Sequence, residues 1–333
     1  MRREELAGRE LATIYLGGGT PSQLSGENLE RLFACISRQC EGSMAQEMEV
    51  TIECNPDDVT PLFVEALGRL PVNRVSMGAQ TFSDQRLQFL HRRHRAADVG
   101  KAVSLLKEVG IGNISVDLMF GFPEETMEDW ERDMEAALAL DVAHLSAYSL
   151  MYEEGTALTK MAERGEVKPL DEELCLRMYE RLMERLAAAG YRHYEISNWA
   201  KPGKESRHNS SYWRSTPYIG IGAAAHSYDI LTRSWNVASV NRYMEAIEQG
   251  NRPAEWEEID ERTCYNDLIT TALRTCEGIS LSVVPTEQRT YLLRMAEPAV
   301  RGGLLKMEDG RVHLTRKGLF VSDSVFSDLM MIE

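Results

Sequence analysis

The chain has no apolar run of membrane-spanning length, and its opening, MRREELAGRE, is charged where a secretory leader would carry an apolar centre. Both absences lead us to expect a cytoplasmic protein without a transmembrane segment. Positive charge is short as well: 37 Lys and Arg face 52 Asp and Glu, a net charge of −15. Phosphate contact needs a positive surface, so general nucleic-acid binding is excluded. The six cysteines, Cys35, Cys40, Cys54, Cys175, Cys264 and Cys276, form no CxxC pair. Cys35 and Cys40 lie five apart on a predicted helix, poorly placed to share a tetrahedral metal. The six read as reduced thiols, several of them buried. There is no GxxxxGK[ST] phosphate loop, no internal repeat and no low-complexity segment.

What is present is a regular alternation. A length of 333 residues suits more than one domain. Strand-like runs near Thr13–Leu16, Met48–Cys54, Arg74–Met77, Asn113–Met119 and His144–Leu150 are separated by amphipathic stretches at Gly26–Arg38, Thr60–Leu70, Ala97–Val109 and Thr126–Leu140. That order predicts an α/β fold with a parallel sheet and right-handed crossovers. Residues two apart in a strand share a face. One face is apolar: Ile14 and Leu16, Val50 and Ile52, Val75 and Met77, then Ile114, Val116 and Leu118. The other is small and polar: Tyr15 and Gly17, Thr51 and Glu53, Ser76, Gly78 and Gln80, Ser115 and Asp117, then His144, Ser146 and Tyr148. A sealed barrel is filled with branched apolar side chains, so a polar interior predicts a cavity for solvent or ligand.

After Tyr152 the pattern changes. Asp171–Ala189 predicts a helix capped by Asp171 and stopped by Gly190. Tyr191–Trp213 reads as aromatic-rich and irregular, Thr216–Tyr228 as rich in Gly and Ala, and Ala238–Gly250 as a helix. From about Asp260 a helical module ends in a hairpin, Leu304–Leu314, turning at Asp309-Gly310.

Glu53, Gln80 and Asp117 fall at or just past the C-terminal ends of predicted strands, the edge where parallel α/β folds bind ligands. The loop Gly17-Gly18-Gly19-Thr20-Pro21 lets backbone approach a ligand there. Alone it fits a tight strand-to-helix turn equally well; beside three polar strand ends it favours a small-molecule site. The segment Gly220-Ile-Gly-Ala-Ala-Ala225 matches GxGxxA but lacks a following helix, so close packing explains it better than a dinucleotide.

Five segments then occur in order: Tyr15-Leu-Gly-Gly-Gly-Thr-Pro-Ser22, Ile52-Glu-Cys-Asn-Pro56, Val75-Ser-Met-Gly-Ala-Gln-Thr-Phe82, Leu90-His-Arg-Arg-His94 and Val116-Asp-Leu-Met-Phe-Gly-Phe-Pro123. Together they resemble the radical S-adenosylmethionine (SAM) proteins of the oxygen-independent coproporphyrinogen III oxidase superfamily. Four more segments resemble its HemW haem chaperone branch: Tyr194-Glu-Ile-Ser-Asn198, the HNxxYW element His208–Trp213, Gly220–Ser227 and the ending Leu314–Val325. The resemblance runs from about Leu11 to Val325.

The resemblance implies a partial (β/α) barrel over residues 1–152, lacking the family's first strand and helix. It implies an α+β extension carrying HNxxYW over 153–258 and a winged-helix-like module over 259–333. In that module Arg311, Arg316 and Lys317 are interleaved with Glu308 and Asp309, which favours packing against the barrel or a partner over DNA binding. It assigns Gly18, Gly19 and Thr20 to the methionine end of SAM, and Glu53, Gln80, Arg92 and Asp117 to further SAM contacts, with Asp117 at the ribose. On residue type alone Arg92 would read as a solvated charge. The family's CxxxCxxC, whose thiolates hold a [4Fe–4S] cluster, does not occur in this sequence. A cluster is therefore not expected on this chain, radical generation is expected to fail, and a truncated gene model or excised piece is the favoured explanation. An open edge at the strand near 13–16 is expected to promote self-association.

Two functions follow from the resemblance. One is a haem-binding chaperone that passes haem to acceptor proteins, with His208 as candidate ligand and Tyr212 and Trp213 packing on the porphyrin. The bland alternative is that His208 and Asn209 bond local backbone while the aromatics fill core. The other function is oxygen-independent oxidation of coproporphyrinogen III propionates to vinyls, and an inactive fragment of either is a third reading. His226 is a weaker ligand candidate; His91, His94, His193 and His313 read as surface or packing residues.

Overall fold

A computed structural model describes residues 2–40 and 42–332. They divide into two compact units, one of residues 5–193 with 197–205, the other of residues 2–4, 194–196 and 206–332.

In the first unit β1 (Leu11–Leu16), β2 (Met44–Cys54), β3 (Arg74–Gln80), β4 (Asn113–Phe120) and β5 (His144–Ser149) pair in parallel, each with the next. The crossovers are α1 (Gly26–Gln39), α2 (Pro61–Gly68), the pair α3 (Asp84–Phe89) and α4 (Ala96–Glu108), and α5 (Met127–Ala139). Then come α6 (Ala157–Glu163), α7 (Glu172–Ala188), β6 (Arg192–Glu195) and β7 (Asn198–Ala200). The result is a curled seven-stranded half-barrel, in the order β1-β2-β3-β4-β5-β7-β6, with β7 antiparallel to β5. The parallel α/β sheet is the one that the strand–helix alternation predicts, and its half-barrel form is the one that the resemblance implies.

The helices start where side-chain oxygens replace missing backbone acceptors. Ser25, Thr60, Ser83, Thr126 and Asp171 each accept from a backbone N–H of the helix they precede. The apolar strand face meets these helices. Val50, Ile52, Val75, Met77, Ile114, Val116 and Leu118 pack with Leu29 and Phe33 of α1, Leu67 of α2, Leu106 of α4, Trp130 of α5 and Leu182 of α7. The polar face is thereby left on the concave side.

Two expectations need correction. Residues 191–213 are regular: β6, β7 and α8 (Arg207–Trp213) lie within them. Their aromatic residues mask the two- and 3.6-residue periods from which elements are read. Of the six cysteines, Cys54 alone is buried, while Cys35, Cys264 and Cys276 are exposed.

In the second unit β8 (His226–Tyr228), β9 (Thr232–Asn236) and, after α9 (Val240–Glu248), β10 (Ala254–Glu258) form an antiparallel sheet. A strand rather than a helix thus follows Gly220–Ala225, as expected. Next come α10 (Glu261–Ala272), β11 (Ile279–Ser280), α11 (Thr286–Arg301), β12 (Leu305–Glu308), β13 (Arg311–Leu314), α12 (Arg316–Leu319) and α13 (Ser322–Leu329). The β12–β13 turn is Asp309-Gly310, both at positive φ (51° and 71°), which matches the twist of a hairpin. A separate core of Tyr265, Ile269, Leu292, Val312, Phe326 and their neighbours holds this part together.

Candidate functional site

Parallel register sets the polar residues in rows across the concave face. Tyr15 lies opposite Thr51, and Thr51 opposite Arg74. Toward the C-terminal ends the next row is Glu53, Ser76, Ser115 and His144. Above it come Gly78, Asp117, Ser146 and Asn198.

Two carboxylates organise the site. The Tyr15 hydroxyl donates to Glu53 Oε1 at 2.6 Å. Burial, then the nearby Glu53 charge, raises the pKa of Tyr15, so it remains a donor. Asp117 receives Ser76 Oγ on Oδ2 and Ser115 Oγ on Oδ1, each at 3.3 Å. Burial raises its pKa, opposed by the hydroxyl of Ser146, the charge of Arg74 and the two other serines. Beneath it, Ser115 Oγ is 2.7 Å from His144 Nδ1. Burial, helped by the Arg74 charge, holds His144 well below the usual histidine range, so it is neutral.

At the rim, Gly18 has φ +73°, a conformation side chains rarely adopt, and Gly18 and Gly19 have open space where a side chain would begin. Gly17 differs: a Cβ there would lie 2.4 Å from Tyr15 Cε1 and 2.6 Å from Glu53 Oε1. Thr20 lies next to them and its hydroxyl caps no helix. Ser22 Oγ ties this loop to the one after β2, donating to Asp58 Oδ2 at 2.7 Å and accepting from the Asn55 amide at 3.2 Å.

Arg92 is not a solvated charge. Its guanidinium donates to Gly78 O at 2.8 Å and Asn55 Oδ1 at 3.0 Å. Gln80 has φ +67°, at a register shift between Gly78 and Gln80 that redirects its side chain. A Cβ on Gly78 would meet Gln80 Nε2 at 2.7 Å and an Arg92 terminal nitrogen at 2.9 Å, so Gln80 and Arg92 both lie over that glycine. The structure thus gathers Glu53, Gln80, Arg92 and Asp117 beside the Gly17–Pro21 loop. Sequence reasoning missed Arg74 and Asn198 on this face. Extending the two-residue alternation one step back from Ser76 would have found Arg74; Asn198 lies on a strand of three residues with no such signal.

His208, Tyr212 and Trp213 all lie on α8, in the second unit. His208 Nε2 is 2.8 Å from Tyr212 Oη, and Tyr212 meets the Tyr218 ring edge-on at 4.8 Å between centroids. Trp213 carries the Arg274 guanidinium over its ring at 5.0 Å, while Trp213 Nε1 is buried without a partner among the described residues. His226 is exposed, with its ring 6.2 Å from Trp235. His94 is buried, its Nε2 3.2 Å from Ala79 O. Among the described residues no three His, Cys, Asp or Glu side chains gather around a possible metal position.

Comparison with known proteins agrees with this architecture. The Radical SAM superfamily model matches residues 2–137, and the HemN C-terminal domain model matches residues 259–321. The fold is shared with coproporphyrinogen III oxidase (HemN) from Escherichia coli, a radical SAM enzyme: the TM-score is 0.82 at 18% identity, over 98% of this chain and 81% of that one. The domain matches define a protein that carries a Radical SAM domain and a HemN C-terminal domain. Heme chaperone HemW of Bacillus subtilis (strain 168) is 35% identical over 95% of this chain and 85% of its own length. HemW of Lactococcus lactis (strain IL1403) is 34% identical over 97% and 85%, and that of Mycobacterium tuberculosis (strain H37Rv) 34% over 96% and 80%. The chain belongs to the HemW family.

Proposed function

We propose that this protein is a haem chaperone that also holds SAM at the mouth of the half-barrel. The observation that carries the haem reading is the 35% identity to a protein named as a heme chaperone over 95% of this chain. α8 supplies the chemistry such cargo needs, an imidazole followed by two aromatic rings four and five residues on. Burial pushes the Tyr212 pKa up to about 12, so it stays a phenol able to donate into the Nε2 lone pair that iron would require. Haem ligation by His208 therefore displaces that phenol, and haem-accepting proteins would reverse the exchange.

The SAM reading rests on the polar strand ends. Gly18 and Gly19 present backbone, and Thr20 a hydroxyl, to the methionine end. Glu53, itself held by Tyr15, accepts from the amine. Asp117, oriented by its serine hydroxyls, accepts from ribose hydroxyls, while Gln80 and Arg92 close the side. When bound, SAM supplies an electrophilic sulfonium. On this reading these residues bind SAM and orient it.

The deciding experiment is a haemin titration followed at the Soret band, on wild type and His208→Ala. Saturable binding with an altered band in the variant is expected. No saturable binding by wild type would overturn the chaperone reading, and an identical variant spectrum would remove His208 as ligand. Calorimetric titration with SAM, compared with Asp117→Asn, tests the second site independently.

A further inference from the structure

We propose that the outer edge of β10 is a docking site for an extended basic segment of a partner protein, which joins the sheet as an added strand with an apolar residue against Trp256. The site needs neither the haem nor the SAM reading.

β10 ends its three-stranded sheet and pairs only with β9 among the described strands. The ladder shows which of its backbone groups are left over. Val237 donates its amide to Pro253 O at 2.8 Å and Ile259 donates its own to Leu231 O at 2.8 Å, and both pairs continue the β9–β10 register. Hydrogen-bonded pairs alternate along antiparallel strands, so Glu255 and Glu257 turn their N–H and C=O groups toward β9. Those of Ala254, Trp256 and Glu258 point outward. Residues two apart share a face, so these three also carry their side chains on one side of the sheet. Trp256 is 77% exposed there, and Glu255, Glu257 and Glu258 are exposed as well. A row of outward backbone groups beside a bared indole is what strand addition uses: main chain for affinity, side-chain contacts for selection.

Charge selects the occupant. Five of the seven residues from Glu255 to Glu261 are acidic and none is basic. Trp235 Nε1 donates to Glu255 at 3.1 Å and Arg233 to Glu257 at 3.1 Å, which leaves the edge negative. Like charges directly opposite each other destabilise a strand pair, and opposite charges support it. A second β10 would set glutamates against glutamates, so the edge repels copies of a chain that carries −15. A strand with Lys or Arg opposite Glu255, Glu257 and Glu258 is attracted instead, and a β-branched or aromatic residue opposite Trp256 buries the indole. Charge of one sign is a common protection for an edge. A central exposed tryptophan is no part of that protection, because it adds apolar surface where the charges would keep other strands away.

The test uses the isotope-labelled full chain in about 0.1 M salt and the blocked peptide Thr-Lys-Lys-Val-Lys-Thr. Aligned antiparallel, the peptide sets its valine opposite Trp256 and its lysines opposite Glu258, Glu257 and Glu255. Binding is read by NMR shift titration and by amide hydrogen exchange. Saturable binding is expected, with exchange of the outward amides of Trp256 and Glu258 slowed and that of Glu255 and Glu257 little changed. Proline in place of the valine keeps the peptide's charge but removes a backbone donor, and should abolish binding. Trp256→Ala, at an exposed position, should weaken the peptide up to about fivefold. Glu258→Lys, which turns an attraction into a repulsion, should weaken it at least as much. No saturable binding by wild type would overturn the proposal. So would equal binding of the proline peptide, or undiminished binding by Trp256→Ala, since either reduces the effect to charge alone. A wild-type dimer in sedimentation that Trp256→Ala dissolves would also overturn it, by giving the edge to a second copy.

Discussion

Gly17 shows how little room the site leaves. Its φ is unexceptional, so alanine is sterically allowed by the backbone, but the added Cβ would strike Tyr15 and Glu53. Gly17→Ala should therefore fold, lose about 1–3 kcal/mol by overpacking, and break the Tyr15–Glu53 bond. SAM affinity by calorimetry should fall at least tenfold; unchanged affinity would remove Glu53 from the site. In the second unit the opposite logic applies to Tyr212→Phe. It deletes the phenol bonded to His208 Nε2. A typical net hydrogen bond is worth about 0.5–1.5 kcal/mol, so haemin should bind roughly two- to tenfold tighter if His208 is the ligand. Weaker binding would show that Tyr212 itself holds the haem. Ala224 has φ 59°, where a residue with a Cβ is strained. Ala224→Gly should be neutral or stabilising by up to about 1 kcal/mol in thermal unfolding, against the usual cost of glycine.

At the scale of an element, the loop between β4 and α5 depends on one carboxyl. Glu125 Oε2 accepts from the Gly121 amide at 2.7 Å and the Phe122 amide at 3.1 Å. Oε1 is buried without a hydrogen bond, its nearest cation being Arg86 at 3.7 Å. Burial wins over those amides and over Arg86, pushing the pKa up to about 7 from 4.5. A carboxyl with a raised folded pKa binds protons more tightly in the folded state. Its contribution is present below pH 4.5 and lost as pH rises through about 7, a change on the order of 3 kcal/mol at most. Glu125→Gln should flatten this part of the stability–pH curve, and an unaltered slope in urea denaturation between those pH values would contradict the assignment. The strands around this loop were legible because alternating residues and capping side chains are local signals. β1 to β5 lie where the alternation places them, and so do Glu53 and Asp117. α3 was not read because a helix of six residues completes fewer than two turns. β6, β7 and α8 were hidden by aromatic residues packed on several sides. The bulge that gives Gln80 its φ of +67° and the burial of Arg74 arise from pairing between strands, which no single segment encodes.

At the scale of the whole molecule, β1 ends the seven-stranded sheet and pairs only with β2 among the described strands. Its outer edge offers backbone donors and acceptors of the kind that recruit another strand. Beside it, α1 leaves Leu32 37% exposed over a surface lined also by Asn28, Arg31, Cys35 and Arg38. Association of two copies along this edge has to overcome the repulsion of two chains each carrying −15. The Debye length falls from about 10 Å at 0.1 M salt to about 3 Å at 1 M, so added salt screens that repulsion and leaves backbone pairing and apolar burial nearly intact. Self-association should therefore strengthen with ionic strength, opposite to an interface built on ion pairs. Sedimentation velocity at about 0.02 M and 0.5 M sodium chloride is expected to show a monomer shifting toward dimer. Ala12→Lys, which puts a charge on the exposed start of β1, should return the high-salt sample to monomer. A wild-type chain that is monomeric at both salt concentrations would show that the edge does not recruit a second copy.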